Sequence, residues 1–107
     1  FPHDPPRFLA RTPHGYHDVT RIHDELRRAG FADIAIETRA EVSRAASARA
    51  AAMAYCEGTP LRTEIEARDA SLLQRATQCA TEAIVRRHGP AAVAGKIQAH
   101  VIEAANA

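Results

Sequence analysis

The chain has 107 residues, of which 46% are apolar, but 24 of these are alanine. One domain, or part of one, is therefore the upper bound, and few large side chains are available to fill a core. Fourteen basic residues against thirteen acidic ones give a net charge of +1, and thirteen of the basic residues are arginines spread along the chain. That distribution lacks the concentrated basic face of nucleic-acid binders. No apolar run reaches membrane-spanning length and no signal peptide is visible, so neither nucleic acid nor membrane is expected as a partner.

Residues 1–17 carry four prolines and a glycine, which reads as an extended arm from which Phe8, Leu9 and Tyr16 could dock. Asp18 can cap a helix whose Val19, Ile22, Leu26 and Ala29 share one face. Gly30 stands where a left-handed cap is wanted, with Phe31 placed to fold back over the last turn. Ile34, Ile36 and Thr38 then alternate with Ala35 and Glu37, the period of a half-buried strand. Residues 39–46 read as a polar connection.

Ser47 can cap an alanine-rich helix that runs through Cys56 to Glu57-Gly58, and Thr59-Pro60 restarts a helix to about Ala67. Asp69 can cap the longest helix, Ala70 to His88, with an apolar stripe of Leu72, Leu73, Ala76, Cys79, Ala80, Ala83 and Ile84. Gly89-Pro90 stops it, residues 91–95 turn the chain, and Lys96 to Ala104 reads as a second strand. About four helices and two strands result, an α+β arrangement in which residues 33–38 should pair antiparallel with about 97–102. Two strands alone make a marginal sheet in water. The chain begins Phe-Pro and its only methionine, Met53, is internal, which gives the expectation of a trimmed chain or a piece of a longer protein. Cys56 and Cys79 form no CxxC and fall at apolar helix positions, as expected for buried thiols of a cytoplasmic protein.

Leu26, Ala29, Gly30, Phe31, Asp33 and Ile34 form a pattern, Leu-x-x-Ala-Gly-Phe-x-Asp-Ile, that resembles the helix-to-strand passage near the C-terminal end of class I S-adenosylmethionine-dependent methyltransferases. Gly15-Tyr16-His17-Asp18, Glu57-Gly58-Thr59-Pro60-Leu61 and Gln98-Ala99-His100-Val101 resemble the small-molecule members grouped with ubiquinone and menaquinone biosynthesis enzymes. The resemblance runs from about Phe8 to Ala104. It implies an α/β parent whose sixth and seventh strands are the two found here, the seventh lying antiparallel between the fifth and the sixth. Residues 18–107 would be the C-terminal part of that Rossmann-like domain, with a helical insertion at about 45–90 covering the substrate. The family's cofactor-holding parts, a Gly-rich strand-to-helix turn and an acidic residue after a second strand, are missing from this sequence. S-adenosylmethionine is thus expected as cofactor of the parent and not of this chain, which should be inactive alone.

Candidate chemistry is sparse. His14, His17 and His23, with Asp18 and Asp24, offer no i,i+4 pair and no HExxH, so no metal site is expected. Tyr16 and His17 precede a helix at a presumed sheet end, where ligands bind in open α/β folds, and could act as donor and general base. Tyr55 and Arg62 could line the substrate side of the insertion, the arginine as a bidentate clamp for an acidic substrate. Cys56 has no identifiable base. Two functions follow as expectations: the substrate-covering part of a small-molecule methyltransferase, or a non-catalytic α+β association module. An unpaired edge on the second strand leads in both cases to the expectation of a homodimer.

Overall fold

The computed structural model describes residues 1–106. Its elements are α1 (Phe8–Arg11), α2 (Val19–Arg28), β1 (Asp33–Ala45), α3 (Ala48–Gly58), α4 (Leu61–Asp69), a 3-10 turn (Ala70–Leu72), α5 (Leu73–His88) and β2 (Val93–Ala105). The architecture is mixed α and β, with one two-stranded antiparallel sheet.

The caps follow from local chemistry. The Asp18 side chain accepts from the Thr20 and Arg21 amides at the start of α2. At its end Gly30 adopts φ +98°, its amide bonds to the Arg27 carbonyl, and the Phe31 amide reaches back to Leu26. That is a Schellman ending, and only glycine takes the required φ without steric cost. Ser47 Oγ accepts from the Ala50 amide at 3.0 Å. Thr59 Oγ1 joins two helices: it donates to the Tyr55 carbonyl at 2.6 Å and accepts from the Leu61 amide at 3.2 Å. Asp69 accepts from both the amide and the hydroxyl of Ser71, and this tight local closure makes the first turn 3-10 before α5 begins.

Both strands are longer than expected. The ladder runs from Asp33↔Ala105 through Ile36↔Ile102 and Thr38↔His100 to Ala45↔Val93. The 39–46 segment is therefore strand up to Ala45, and 33–38 pair with 100–105 rather than 97–102. Arg39, Glu41 and Arg44 read as a loop because they are polar, yet this part of the ribbon is exposed on both faces and its polar side chains remain hydrated. Such residues cost a strand little when they face water.

The two faces of the ribbon are covered at opposite ends. Ile34, Ile36 and Thr38, with partners Ala104, Ile102 and His100, form the face over which α2 lies, and Ile22 of α2 is buried there. On the other face, at the Ala45/Val93 end, Tyr55, Ile84 and His88 of the helical insertion line a groove with Gly95 and Ile97. The main core lies within the insertion, where Cys56, Ile65 and Leu73 pack with Leu61, Ala76 and Ala80. Ala48 and Ala52 are also buried, so small side chains bring α3 close to its neighbours.

The arm departs from its extended reading. It contains the single turn α1, and it docks on α4: the Arg7 amide and the Arg11 guanidinium both bond the Glu64 carboxylate, and Arg68 grips Asp4. Phe8 and Leu9 are half-buried, while Tyr16 stays exposed. Cys79 is exposed, contrary to expectation, because α5 turns Leu73 and Thr77 inward and leaves the Leu72–Cys79 flank open.

With a radius of gyration of 17.7 Å the chain exceeds the ~13 Å of a compact domain of this length. Its small helical core makes each large buried residue count. Ile65→Ala should therefore lower stability by about 2–4 kcal/mol in urea unfolding. Val42→Ala, at a side chain 52% exposed, should change it by less than ~0.5 kcal/mol.

Candidate functional site

A groove lined by three histidines, with a volume of about 470 Å³, lies between the 13–17 segment and β2. His14, Tyr16 and His17 line one wall, and Gln98 and His100 line the other. The sequence places these residues there in two ways. The Asp18 cap fixes where α2 starts, and so where Tyr16 and His17 leave it. The strand period puts Gln98 and His100 on the same face of β2 as Ile102, which faces α2.

His100 is the joint of this groove. Its Nε2 lies 2.9 Å from the His17 carbonyl oxygen and its Nδ1 lies 2.8 Å from Thr38 Oγ1. A carbonyl only accepts, so Nε2 carries a proton, and in the neutral ring Nδ1 accepts from the threonine hydroxyl. Both nitrogens are engaged, which makes His100 a clip between the arm and the sheet rather than a free base. The sequence names it only within the Gln98-Ala99-His100-Val101 motif and not as a candidate site residue. Its role depends on the ladder register, which sets Thr38 and His100 opposite each other.

Tyr16 and His17 are brought together, but against the middle of β2 and not at a strand end, because β2 begins at Val93. The Tyr16 hydroxyl donates to Glu25 one turn or more into α2, and the Arg21 guanidinium both bonds Glu25 at 2.8 Å and stands over the Tyr16 ring. The hydrogen bond to Glu25 raises the Tyr16 phenol above its ordinary value. The bond from Tyr16, then that from Arg21, holds the Glu25 carboxyl below its ordinary value. A phenol already donating to a carboxylate is not available to donate to a ligand without losing that bond. His17 contributes its carbonyl to His100 and its side chain to the groove wall.

Tyr55 and Arg62 are not assembled into one site. Tyr55 lines a separate groove of about 180 Å³ with Ile84, His88 and Ile97, and Arg62 is not among its lining residues. The Arg62 Nε instead donates to Glu66 at 2.8 Å, one turn along α4. An exposed i,i+4 pair of this kind is worth little, but it orients the guanidinium along its own helix. The Cys56 thiol is pushed up by burial, which argues against a nucleophile. Among the described residues no group of three or more His, Cys, Asp or Glu could hold a metal ion.

The residues present do not fit a cradle for S-adenosylmethionine. Within the described residues the strand-to-helix junction, Ala45 to Ser47, carries no glycine, and the strands around it are antiparallel.

Because Glu25 is held below its ordinary value, its contribution to stability is present above that ordinary value and is lost as pH falls through the depressed one. Tyr16→Phe should move the Glu25 titration upward in a carboxyl NMR pH series. An unchanged midpoint would show that the phenol plays no part. In native protein Cys79 should react with a thiol reagent and Cys56 should react only after denaturation, giving one fast thiol per chain. Compared with protein-family models, curated proteins and solved structures, the chain matches none.

Proposed function

We propose that this chain is the C-terminal, substrate-covering part of a class I S-adenosylmethionine-dependent methyltransferase acting on a small molecule. The observation that carries the reading is the arrangement of the sheet. Two adjacent antiparallel strands are joined by a helical insertion, and within the described residues the second strand has a partner on one side only. In the resembled family the last strand lies between two others, so an open outer edge on β2 is what a sheet lacking its remaining strands would have. The helices α3–α5, which sit at the Ala45/Val93 end, would then form a lid over the substrate on their own face of the sheet, and the groove between Tyr16–His17 and β2 lies on the other face. The cofactor supplies the methyl group, and its binding belongs to the parent's upstream half, with no residue here assigned to it.

A second reading, a non-catalytic association module, is favoured by the same open edge together with the commitment of Tyr16 and Arg62 to partners within the chain. The cofactor separates the two. Calorimetry should detect no S-adenosylmethionine binding to the 107-residue chain. A longer product carrying this chain behind a Gly-rich strand-to-helix turn should bind it and methylate a small-molecule acceptor. A longer product that neither binds nor methylates would leave the association module as the surviving reading. Stoichiometric binding by the 107-residue chain would contradict the placement of the cofactor half upstream.

A further inference from the structure

The accessible surface is 7,658 Å². A folded monomer of 11.6 kDa ordinarily exposes about 5,800 Å². The excess, about 1,800 Å², is more than the ~800 Å² per partner of a standard protein interface. Part of it is apolar ribbon: Ile97, Val101 and Ile102 of β2 are 45%, 44% and 39% exposed.

The two outer edges of the ribbon are not equivalent. β1 carries Asp33, Glu37, Arg39, Glu41 and Arg44, whereas β2 carries only Lys96 and Glu103. Charges along a strand discourage edge pairing, so β2 is the edge open to another strand. The arm does not occupy it. Backbone hydrogen bonds donated by residues 1–17 stay within that segment or go to Glu64, and its link to β2 is the His100 side chain.

We propose that the occupant of this edge is a second copy of the chain, β2 pairing antiparallel with its own equivalent about a two-fold axis at Ala99. In that register Ile97 of one copy stands opposite Val101 of the other, twice, flanking an Ala99–Ala99 pair. Ile97, Ala99 and Val101 share one face of β2, so the two copies join their exposed apolar side chains into one patch on a four-stranded sheet. Lys96 meets Ile102 and Glu103 meets Gly95, and no like charges are opposed. The axis makes the contact isologous and closed, so it stops at two copies. On the methyltransferase reading a strand of the parent takes this same edge, so in a longer product the two occupants exclude each other. The measurement is accordingly made on the 107-residue chain.

Light scattering at micromolar concentration should give twice 11.6 kDa. Val101→Lys places a charge in the patch and opposite Glu37 of its own chain, where it is tolerated in the monomer. It should weaken the dimer about tenfold or more, with circular dichroism unchanged. In a Cys79→Ala background, Ala99→Cys should form an interchain disulfide under mild oxidation. Directly opposed antiparallel residues have Cα separations of about 4.5–5.5 Å, within the range a disulfide spans. Arg39→Cys, on the same face of β1, should not cross-link. A monomer mass unchanged by concentration would overturn the proposal. So would a dimer that cross-links through position 39 and not 99, or one indifferent to Val101→Lys. None of these outcomes bears on cofactor binding by a longer product, so the two readings fail separately.

Discussion

The antiparallel pairing of β1 with β2 is the constraint on which the remaining structure depends. The strands are separated by residues 46–92, and closing a loop of that length costs about 3 kcal/mol in chain entropy beyond a constant. A two-stranded sheet does not offset that cost by itself. The insertion does, by folding as a unit: α3, α4 and α5 close on Cys56, Ile65 and Leu73 and return the chain to Val93 beside Ala45. Pairing and insertion are thus mutually dependent. The helices bring the strand ends together, and the ladder then fixes the groove against α2.

Composition explains why the core lies where it does. Ala48, Ala52 and Cys56 repeat every four residues along one side of α3, and their small size lets α5 approach closely. Thr77 fits that contact because its hydroxyl bonds the Leu73 carbonyl and the Glu57 carboxylate, so a buried polar group is satisfied locally. Alanine buries little area, however, and the larger aliphatic residues are divided between this core, the α2 face and the open ribbon. The sheet consequently has each face covered at one end only, and the long axis of the molecule reaches 53 Å.

Helix starts and stops were legible from sequence because they rest on nearest-neighbour chemistry. Asp18, Gly30, Ser47, Thr59, Asp69 and Gly89 each act within four residues of themselves. The strand ends were not legible. Whether Arg39 to Ala45 is loop or ladder is decided by the presence of Ala99 to Val93 alongside, and that information is some fifty residues away in the chain. The site suffered in the same way. Tyr16 and His17 read as lying at a sheet end and instead stand beside the middle of β2, and Glu25, the acceptor of the Tyr16 hydroxyl, lies on the far side of the cap. His100 acquires its role only through the register. Arg62 read as a clamp for an acidic substrate because its partner Glu66, four residues on, is an ordinary exposed glutamate that carries no signal of its own.

The bonds that form the candidate groove differ in kind from those that form the core, and this bears on what the groove can do. Tyr16 to Glu25, Arg21 to Glu25 and His100 to the His17 carbonyl are all solvent-exposed. Exposed ion pairs and exposed hydrogen bonds each contribute little, because water competes for both partners. The 13–17 segment is therefore held far more weakly than the packed helices behind it. A ligand entering between this segment and β2 would compete for the Tyr16 hydroxyl and the His100 ring at small cost, and it would meet Ile22, which lines the same groove. A wall of this kind adapts to a small molecule and does not by itself impose a geometry. On the proposed methyltransferase reading, precise positioning would come from the strands that complete the sheet beyond β2.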